Sequence, residues 1–398
     1  MRFRDPIALA GLCRTPIGKL GGVLAAAEPY KLQSAALRAA RERAGMPADV
    51  LPGEVIAGNL RNSIGNIARV AALDAGIPES VPAITVDRQC ASSMEALVLA
   101  AAKISSGFYE TAVVGGVESG SQAPWLYART ARPYAYAPPE PFVIRMATPE
   151  VGDPPMGETA EILADEFTIA REEMDAFACD SHRKAARADF SAEIVAFPNP
   201  NPKAAAKQIV TDECIRPDTT PEVLARLRPA FRKDGRVTAG NSSPINDAAV
   251  GCYAFSGAEA DRLGIDLSAP GSAWLTGAVT VALAPSHMGL GPALAIPVLL
   301  REHGLTIDDI DLFEINEAFA AQILACLKKL ASEGWAIPAE KLNVHGGAIA
   351  LGHPTGATGL RLVVTLVNAL RQRGLRRGVA SLCVGGGQGM AVLVETKN

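Results

Sequence analysis

The sequence lacks the features that mark several classes of protein. Its net charge is only −4, and its lysines and arginines neither cluster nor alternate with aromatic residues, so we expect no nucleic-acid partner. Charges or prolines interrupt every apolar stretch before it reaches the thickness of a bilayer, so we expect no membrane association. The seven cysteines form no CxxC pair, which disfavours disulfides and a zinc site and indicates a reducing compartment. We therefore expect a cytoplasmic protein without a bound metal.

The sequence does contain one pattern twice. In both halves the residue pattern predicts the same order of elements, namely strand, helix, strand, elbow, helix and strand. The first copy uses residues 7–12, 32–44 and 55–57, the elbow at Cys90, its helix over 91–104, and 111–116. The second uses residues 273–284, 294–303 and 312–315, the elbow at His353, its helix through 370, and 380–386. The alternation predicts an α/β protein built from two duplicated halves with mixed sheets, whose equivalent strand ends would lie side by side.

A middle segment breaks this pattern. Proline-rich stretches at 138–141 and 198–202 bracket a helical, charge-alternating piece at 158–188, in which Thr168 is the predicted cap. A simple linker is the alternative, but a segment of this length with its own helices is seldom structureless. We predict a first half at 1–120 and 242–268, an inserted domain at 121–241 and a second half at 269–398.

Cys90 is the first candidate for chemistry. It follows a β-branched run at 83–87 and precedes the predicted helix. Unpaired backbone N–H groups and the positive end of the helix dipole favour thiolate over thiol at such a position. A packing role is the alternative, because cysteines at helix entries are usually core residues.

Further blocks in the last quarter of the chain complete a specific resemblance. Asn316-Glu317-Ala318-Phe319, the glycine-rich block 346–354 and the block 383–389 follow Cys90 in order. With the blocks 115–119, 228–231 and 239–243, they make essentially the whole chain resemble the thiolase family. The resemblance implies a five-layered αβαβα fold with an inserted loop domain that covers the active site and receives coenzyme A. It also implies CoA-dependent cleavage of 3-oxoacyl-CoA, or the reverse condensation of two acyl-CoA molecules.

The residue types fit two-step acyl transfer. A thiolate both attacks a thioester and leaves from one, which suits Cys90, and His353 is the candidate base for its proton. Cys383, which precedes three glycines, fits a second acid or base for the carbon-bound proton. Each has a structural alternative as a buried core residue, and nearby His345 is expected to be structural.

The resemblance assigns the remaining roles. It implies that the backbone N–H groups of Cys90 and Gly385 form one oxyanion hole, and that His353 and a water held by Asn316 form the other. A strand-to-helix cap is the alternative for Asn316 and Glu317. Coenzyme A is implied as substrate or product, with no permanently bound cofactor, and a homodimer or homotetramer is implied. The implied contacts to the substrate and coenzyme A are Arg216, Leu227, Phe231, Ser243, Ala318, Phe319 and Met156.

Four positions depart from the family pattern. Asp87 stands where an asparagine is usual, and Ser93 where a glycine is common. Gly120 and Pro155 replace a methionine and a histidine near the acyl pocket. They predict a roomier, less polar acyl end and a preference for medium-length 3-oxoacyl-CoA. Aromatic side chains of the neighbouring loop are the alternative occupants of that space, namely Trp125, Tyr127, Tyr134, Tyr136 and Phe142.

Two other functions compete with this interpretation. A decarboxylating ketoacyl synthase would share the architecture but would be expected to lack a second catalytic cysteine. The presence of Cys383 therefore argues against this function. A non-catalytic carrier of coenzyme A or lipid would not need Cys90, His353 and Cys383 together.

Overall fold

The structure is a computed structural model that describes residues 2–128, 140–142 and 144–397. The strands within these residues are β1 Arg2–Arg14, β2 Gly18–Lys19, β3 Glu54–Gly58, β4 Ala83–Val86, β5 Thr111–Ser119, β6 Phe197–Pro198, β7 Gln208–Ile209, β8 Asn246–Phe255, β9 Ala273–Ala282, β10 Leu312–Ile315, β11 Arg377–Val384 and β12 Gln388–Glu395.

The helices lie mainly between strands. They are α1 Pro29–Arg43, α2 Ile67–Asp74, α3 Ser92–Ser105, α4 Met156–Glu166, α5 Arg171–Arg187, α6 Pro221–Ala225, α7 Gly257–Leu263, α8 Gly291–His303, α9 Ala320–Ser332, α10 Ala348–Leu351 and α11 Thr355–Gln372, with short 3-10 helices at Pro285–Leu290 and Ala339–Lys341. Among the described residues, none of these helices has both the length and the apolar character needed to cross a membrane.

The sheet passes through both halves. Its order is β10-β11-β12-β9-β1-β8-β5-β3-β4, and β2 also pairs with β8. The pairs β3–β4, β3–β5 and β10–β11 are parallel, and the others are antiparallel. Because β1 pairs with both β8 and β9, the two halves share one hydrogen-bonded network.

Side-chain alternation along the strands separates the layers. Leu9 of β1 faces a central core with α3 and α11, whereas its neighbour Ala8 faces α1 and α2 on the outer side. In the second half, Leu382 faces the central core and Cys383 faces the outer core with α8 and α9. The five-layered α/β fold is therefore confirmed, with α3 and α11 buried between the two half-sheets.

The central helices bring the elbows together. The Cys90 elbow lies at the start of α3, and the His353 elbow lies at the start of α11. These two helices pack on each other. After the long middle segment, β8 inserts between β1 and β5 of the first half.

One local prediction was wrong. Thr168 does not cap the second helix of the middle segment, because its backbone has φ +47° and the helix begins later, at Arg171. Instead, the Glu173 carboxylate accepts from the backbone N–H of Ala170 at 2.7 Å, while Thr168 ends the turn after α4. The predicted helical piece comprises two helices, α4 and α5. Of the predicted proline-rich stretch at 138–141, residues 138 and 139 lie outside the described part of the chain.

Candidate active site

Cys90 lies in a tight elbow between β4 and α3. The preceding residue, Gln89, has φ +47°, a region that side-chain-bearing residues rarely occupy. The Asp87 carboxylate accepts from the Gln89 N–H at 2.7 Å, and the Ser92 hydroxyl accepts from the Arg88 N–H at 2.9 Å. The elbow is therefore fixed from both sides, with its cysteine partly exposed.

The free Cys90 thiol is not predisposed to ionise. Burial of the sulfur raises its pKa to about 11, and the charges of Glu118 and Asp87 add to the rise. Backbone N–H groups of Gly385 and of Cys90 itself act in the opposite direction. The sequence argument for a favoured thiolate was therefore wrong for the free protein, because desolvation outweighs the helix N-terminus. Nucleophilic use of Cys90 requires a base.

His353 has the tautomer and the neutral state that a base needs. Its side chain is buried, and its Nδ1 lies 2.7 Å from the Thr358 hydroxyl oxygen. That hydroxyl donates its own hydrogen to the Pro354 carbonyl at 3.0 Å, so it must accept from Nδ1–H. The resulting tautomer leaves Nε2 as an acceptor, and Nε2 has no partner among the described residues. Burial lowers the His353 pKa to about 3, so the imidazole is neutral.

Asn246 holds the backbone of the second elbow. Its Oδ1 accepts from the His353 N–H at 2.9 Å. Gly352, just before, has φ +113°, and a Cβ there would lie 2.5 Å from the Asn246 amide. A glycine is required at this position because both the backbone angle and the close approach exclude a side chain.

Cys383 lies at the end of β11, before the turn over Gly385, Gly386 and Gly387. Burial raises its pKa well above the ordinary value, and the charge of Cys90 raises it further. The two sulfurs therefore sense each other electrostatically. Since the Gly385 N–H donates towards the Cys90 sulfur, the glycine turn brings a backbone donor to Cys90.

Asn316 and Glu317 follow β10 and have different roles. Both amide atoms of the fully buried Asn316 lack a partner among the described residues. The Glu317 carboxylate accepts from Ser181, from Asn343 and from the Ile349 N–H. Because α9 begins later, at Ala320, the capping alternative does not apply to Asn316. Its amide is available to bind a water or a substrate oxygen.

Glu118 is a structural contributor to which the sequence argument gave no role. Its buried carboxylate accepts from the N–H of Gly356 at 3.0 Å and from the Thr355 hydroxyl at 3.0 Å, at the start of α11. It also accepts from the N–H groups of Leu60 and Arg61 in the first half. Burial raises its pKa, and these donors oppose the rise. The Glu118 side chain thus joins the two halves near His353. The only sequence signal for this role was the position of Glu118 just after a predicted strand.

Most of the predicted coenzyme A contacts form one wall. The rings of Phe231 and Phe319 meet edge to face at 5.9 Å. Both the N–H and the hydroxyl of Ser243 donate to the Ala318 carbonyl, at 3.0 and 2.9 Å. Met156 and Leu227 are half-buried in the adjoining apolar cluster. Arg216 lies apart on the surface, where its N–H donates to His182 Nδ1 at 3.2 Å.

The four departures have distinct structural effects. Ser93 accepts from the Leu360 N–H at 2.9 Å and so links α3 to α11, whereas Asp87 braces the elbow. Pro155 is exposed and precedes α4. A Cβ on Gly120 would collide with the Ile245 side chain, so the space that this glycine vacates is already filled.

The loop that contains Met146 lines a cleft next to the Cys90 elbow. Met146 lies against Gly385 and Gly386, beside a cleft of about 640 Å³ that includes Gln89. Trp125, Tyr127 and Phe142 are exposed, whereas Tyr134 and Tyr136 fall outside the described residues. Across residues 2–128, 140–142 and 144–397, no group of three or more His, Cys, Asp or Glu side chains is arranged to hold a metal ion.

The whole chain is similar to known proteins of one family. Residues 7–253 match the model of the thiolase N-terminal domain, and residues 270–396 match that of the thiolase C-terminal domain. A "Probable acetyl-CoA acyltransferase" of Staphylococcus epidermidis is 42% identical over 398 residues, covering 98% of both chains. The structure of "Acetyl-CoA acetyltransferase from Syntrophomonas wolfei" has a TM-score of 0.91 at 35% identity, covering 99% of this chain and 100% of the other. That of "human mitochondrial 3-ketoacyl-CoA thiolase in complex with CoA" has a TM-score of 0.90 at 33% identity, covering 100% of both.

Proposed function

The chain belongs to the thiolase family, and from this membership we propose how its residues carry the reaction. The protein is an acyltransferase that cleaves 3-oxoacyl-CoA with free CoA or joins two acyl-CoA molecules in the reverse direction. Membership in this family decides against the ketoacyl synthase and carrier alternatives.

The first half-reaction forms an acyl-enzyme on Cys90. His353 Nε2 takes the thiol proton, and the sulfur attacks the 3-oxo carbon to form a tetrahedral adduct. The N–H groups of Cys90 and Gly385 stabilise its oxygen. The bond between the 2- and 3-carbons then breaks, and its electron pair passes to the leaving acyl-CoA as an enolate. Cys383 gives that enolate a proton.

The second half-reaction releases the acyl group. Cys383, now a thiolate, takes the proton of the CoA thiol, and the CoA sulfur attacks the acyl-enzyme carbonyl. Collapse of this adduct forms acyl-CoA and returns the Cys90 sulfur, which recovers its proton from His353. In the reverse direction Cys383 removes a methyl proton, and His353 with a water on Asn316 stabilises the enolate oxygen.

The observation that carries these roles is the set of buried atoms left without a partner. Nε2 of His353 and both amide atoms of Asn316 lack one among the described residues, while the other His353 nitrogen is fixed by Thr358. Buried polar groups are normally paired, so these unpaired atoms support a substrate site.

Mass spectrometry tests the nucleophile. After incubation with acyl-CoA, peptide mapping should find the acyl group on the Cys90 peptide. An acyl group on Cys383, or on any other cysteine, would contradict the assignment.

We further propose that residues 121–241 form the inserted domain that receives coenzyme A. The apolar wall of Phe231, Phe319, Met156 and Leu227 supports a site for the pantetheine arm, with Ser243 and Ala318 at its edge. Arg216 offers a fixed charge for the nucleotide end. Phe231→Ala should raise the KM for CoA while leaving acylation from a saturating acyl-CoA unchanged. A change in acylation alone would contradict this placement.

Medium-length 3-oxoacyl-CoA is the proposed substrate class. Pro155 brings no polar ring to the acyl end, although Ile245 fills the space beside Gly120 and reduces the gain. Each buried methylene would contribute about 0.8 kcal/mol of binding. Thiolysis rates over a ladder of chain lengths should peak above acetoacetyl-CoA; a series that falls with every added carbon pair would contradict the proposal.

We also propose an assembly and a compartment for the protein. The chain forms a homodimer or homotetramer in the cytoplasm. Its free cysteines support a reducing compartment. The edge strand β4 exposes Ile84 and has an open side, which supports contact with another copy. Light scattering of the purified protein should give a mass of two or four chains, and a monomer at micromolar concentration would contradict the assembly.

A further inference from the structure

A buried ion pair joins α11 to β10, the two elements next to the residues of the proposed enolate site. Arg361 and Glu314 are 1% and 2% exposed, and their Nη1 and Oε1 atoms are 3.0 Å apart. Arg361 follows Thr358 by three residues on α11, so the two share a helix face. Glu314 lies on β10, and Asn316 directly follows the last residue of that strand. The pair therefore joins the helix that carries Thr358 to the strand that leads to Asn316.

Several buried polar atoms of Arg361 and Asn316 lack hydrogen-bond partners among the described residues. Arg361 Nε and Nη2 have no partner among the described residues, and neither do Asn316 Oδ1 and Nδ2. Leaving such groups buried and unpaired is unfavourable, and buried water commonly satisfies them. A water that accepts from the guanidinium and donates to Asn316 Oδ1 would satisfy both sides. It would also leave Asn316 Nδ2 as a donor of fixed direction.

We propose that Arg361, held by Glu314, is a positioning residue for the enolate site, because its two free N–H groups anchor ordered water that orients the Asn316 amide. The charge of Arg361 also reaches His353, whose pKa it lowers in addition to the larger effect of burial. A fixed positive group at this depth favours the negative oxygen of an enolate. The inference rests on the proposed roles of His353 and Asn316.

The two half-reactions separate this role from a general structural one. Acylation of Cys90 uses the backbone N–H groups of Cys90 and Gly385, whereas enolate formation uses Asn316. Arg361→Met should therefore leave the acylation rate within about threefold of the wild type but slow deuterium exchange into the methyl group of acetyl-CoA by roughly tenfold to hundredfold. The KM for acetyl-CoA should not change. Arg361→Lys, which keeps the charge, should recover part of the exchange rate.

Arg14→Met is the matched control. Arg14 is also 1% exposed and pairs with Glu193 and Asp212, but it lies on β1. Its loss should affect stability without separating the half-reactions. If Arg361→Met does not fold, the double variant Glu314→Gln with Arg361→Met leaves no unpaired buried charge and takes its place.

Asn316→Ala distinguishes the possible failures. If Asn316→Ala slows exchange but Arg361→Met does not, this inference fails and the proposed function stands. If Asn316→Ala also leaves exchange unchanged, the proposed enolate site itself fails. A high-resolution crystal structure should show water bonded to both Arg361 and Asn316. Direct protein partners for Arg361 Nε and Nη2, or a bound anion in place of water, would overturn the proposal.

Discussion

The elbows at Cys90 and His353 occupy matching positions in the two halves, yet they are held differently. Cys90 is partly exposed, and polar side chains of its own elbow, Asp87 and Ser92, fix the backbone around it. His353 is buried, and its partners come from elsewhere, with Asn246 on the backbone and Thr358 on the ring.

The difference fits the role that we propose for each residue. A nucleophile must be reached by substrate, so its elbow is braced locally and opens to a cleft. A base must keep one tautomer and remain neutral, so it is enclosed, and burial lowers its pKa to about 3. The same strand-elbow-helix unit thus supports two chemical roles through its surroundings.

Removing the cysteines tests the comparison most severely. Cys90→Ala should abolish acyl-enzyme formation, because no other sulfur takes its place. Cys383→Ala should still form the acyl-enzyme but lose thiolysis and condensation by roughly 10³-fold, because the carbon-bound proton has no acceptor. Mass measurement and steady-state rates check both. Cys326→Ala is the control, since this buried thiol donates to the Gly289 carbonyl. Equal loss of acylation in the Cys90 and Cys383 variants would mean that Cys383 instead helps to activate the nucleophile.

The second elbow should break when Gly352 changes. Gly352→Ala would meet the Asn246 amide in a left-handed backbone, so we expect about 2 kcal/mol of destabilisation and about a hundredfold loss of thiolysis. Gly45→Ala is the matched control, because its φ is +64° but nothing lies within 4 Å of the added methyl. Denaturant unfolding and kinetics of both variants check the prediction. Equal activity losses would show that strain alone, and not the position of His353, is responsible.

The tautomer of His353 depends on Thr358. Thr358→Val keeps the shape but removes the acceptor for Nδ1–H, so kcat should fall by roughly tenfold with little change in KM. Thr365→Val, which removes a buried hydroxyl of the same helix near Glu193, should not have this effect. An unchanged kcat in Thr358→Val would show that the hydroxyl does not select the tautomer.

Asp87 should have the smallest effect. Its charge raises the Cys90 pKa, so Asp87→Asn should lower that pKa and shift the pH curve of iodoacetamide alkylation to lower pH. Because asparagine can still accept from the Gln89 N–H, we expect a gain of a few-fold at neutral pH, within one pKa unit. Glu95→Gln, whose charge is paired with Arg88, is the control. Slower alkylation in Asp87→Asn would mean that the carboxylate acts mainly through the elbow geometry.

Much of the fold was readable from the sequence because its signals are local. The predicted strand at 312–315 coincides with β10, and the strand at 111–116 lies within β5. The motif blocks identified the elbows, and the roles of their residues remain predictions until tested. Local reasoning did not give the pKa of Cys90, because burial of the sulfur in the folded protein determines it. It also missed the five donors around Glu118 and the Ile245 side chain beside Gly120, since those contacts join distant parts of the chain.

The late return of β8 has a consequence for synthesis in the cell. Because β8 lies between β1 and β5, the first half-sheet cannot close when its earlier strands leave the ribosome. The edges of β1 and β5 stay unpaired until residue 255 is made, which at ordinary translation speeds is roughly 7 to 27 seconds after residue 119. During that interval the nascent chain presents apolar, unpaired strand edges. A chaperone that binds such edges would therefore engage this chain before its middle segment is complete.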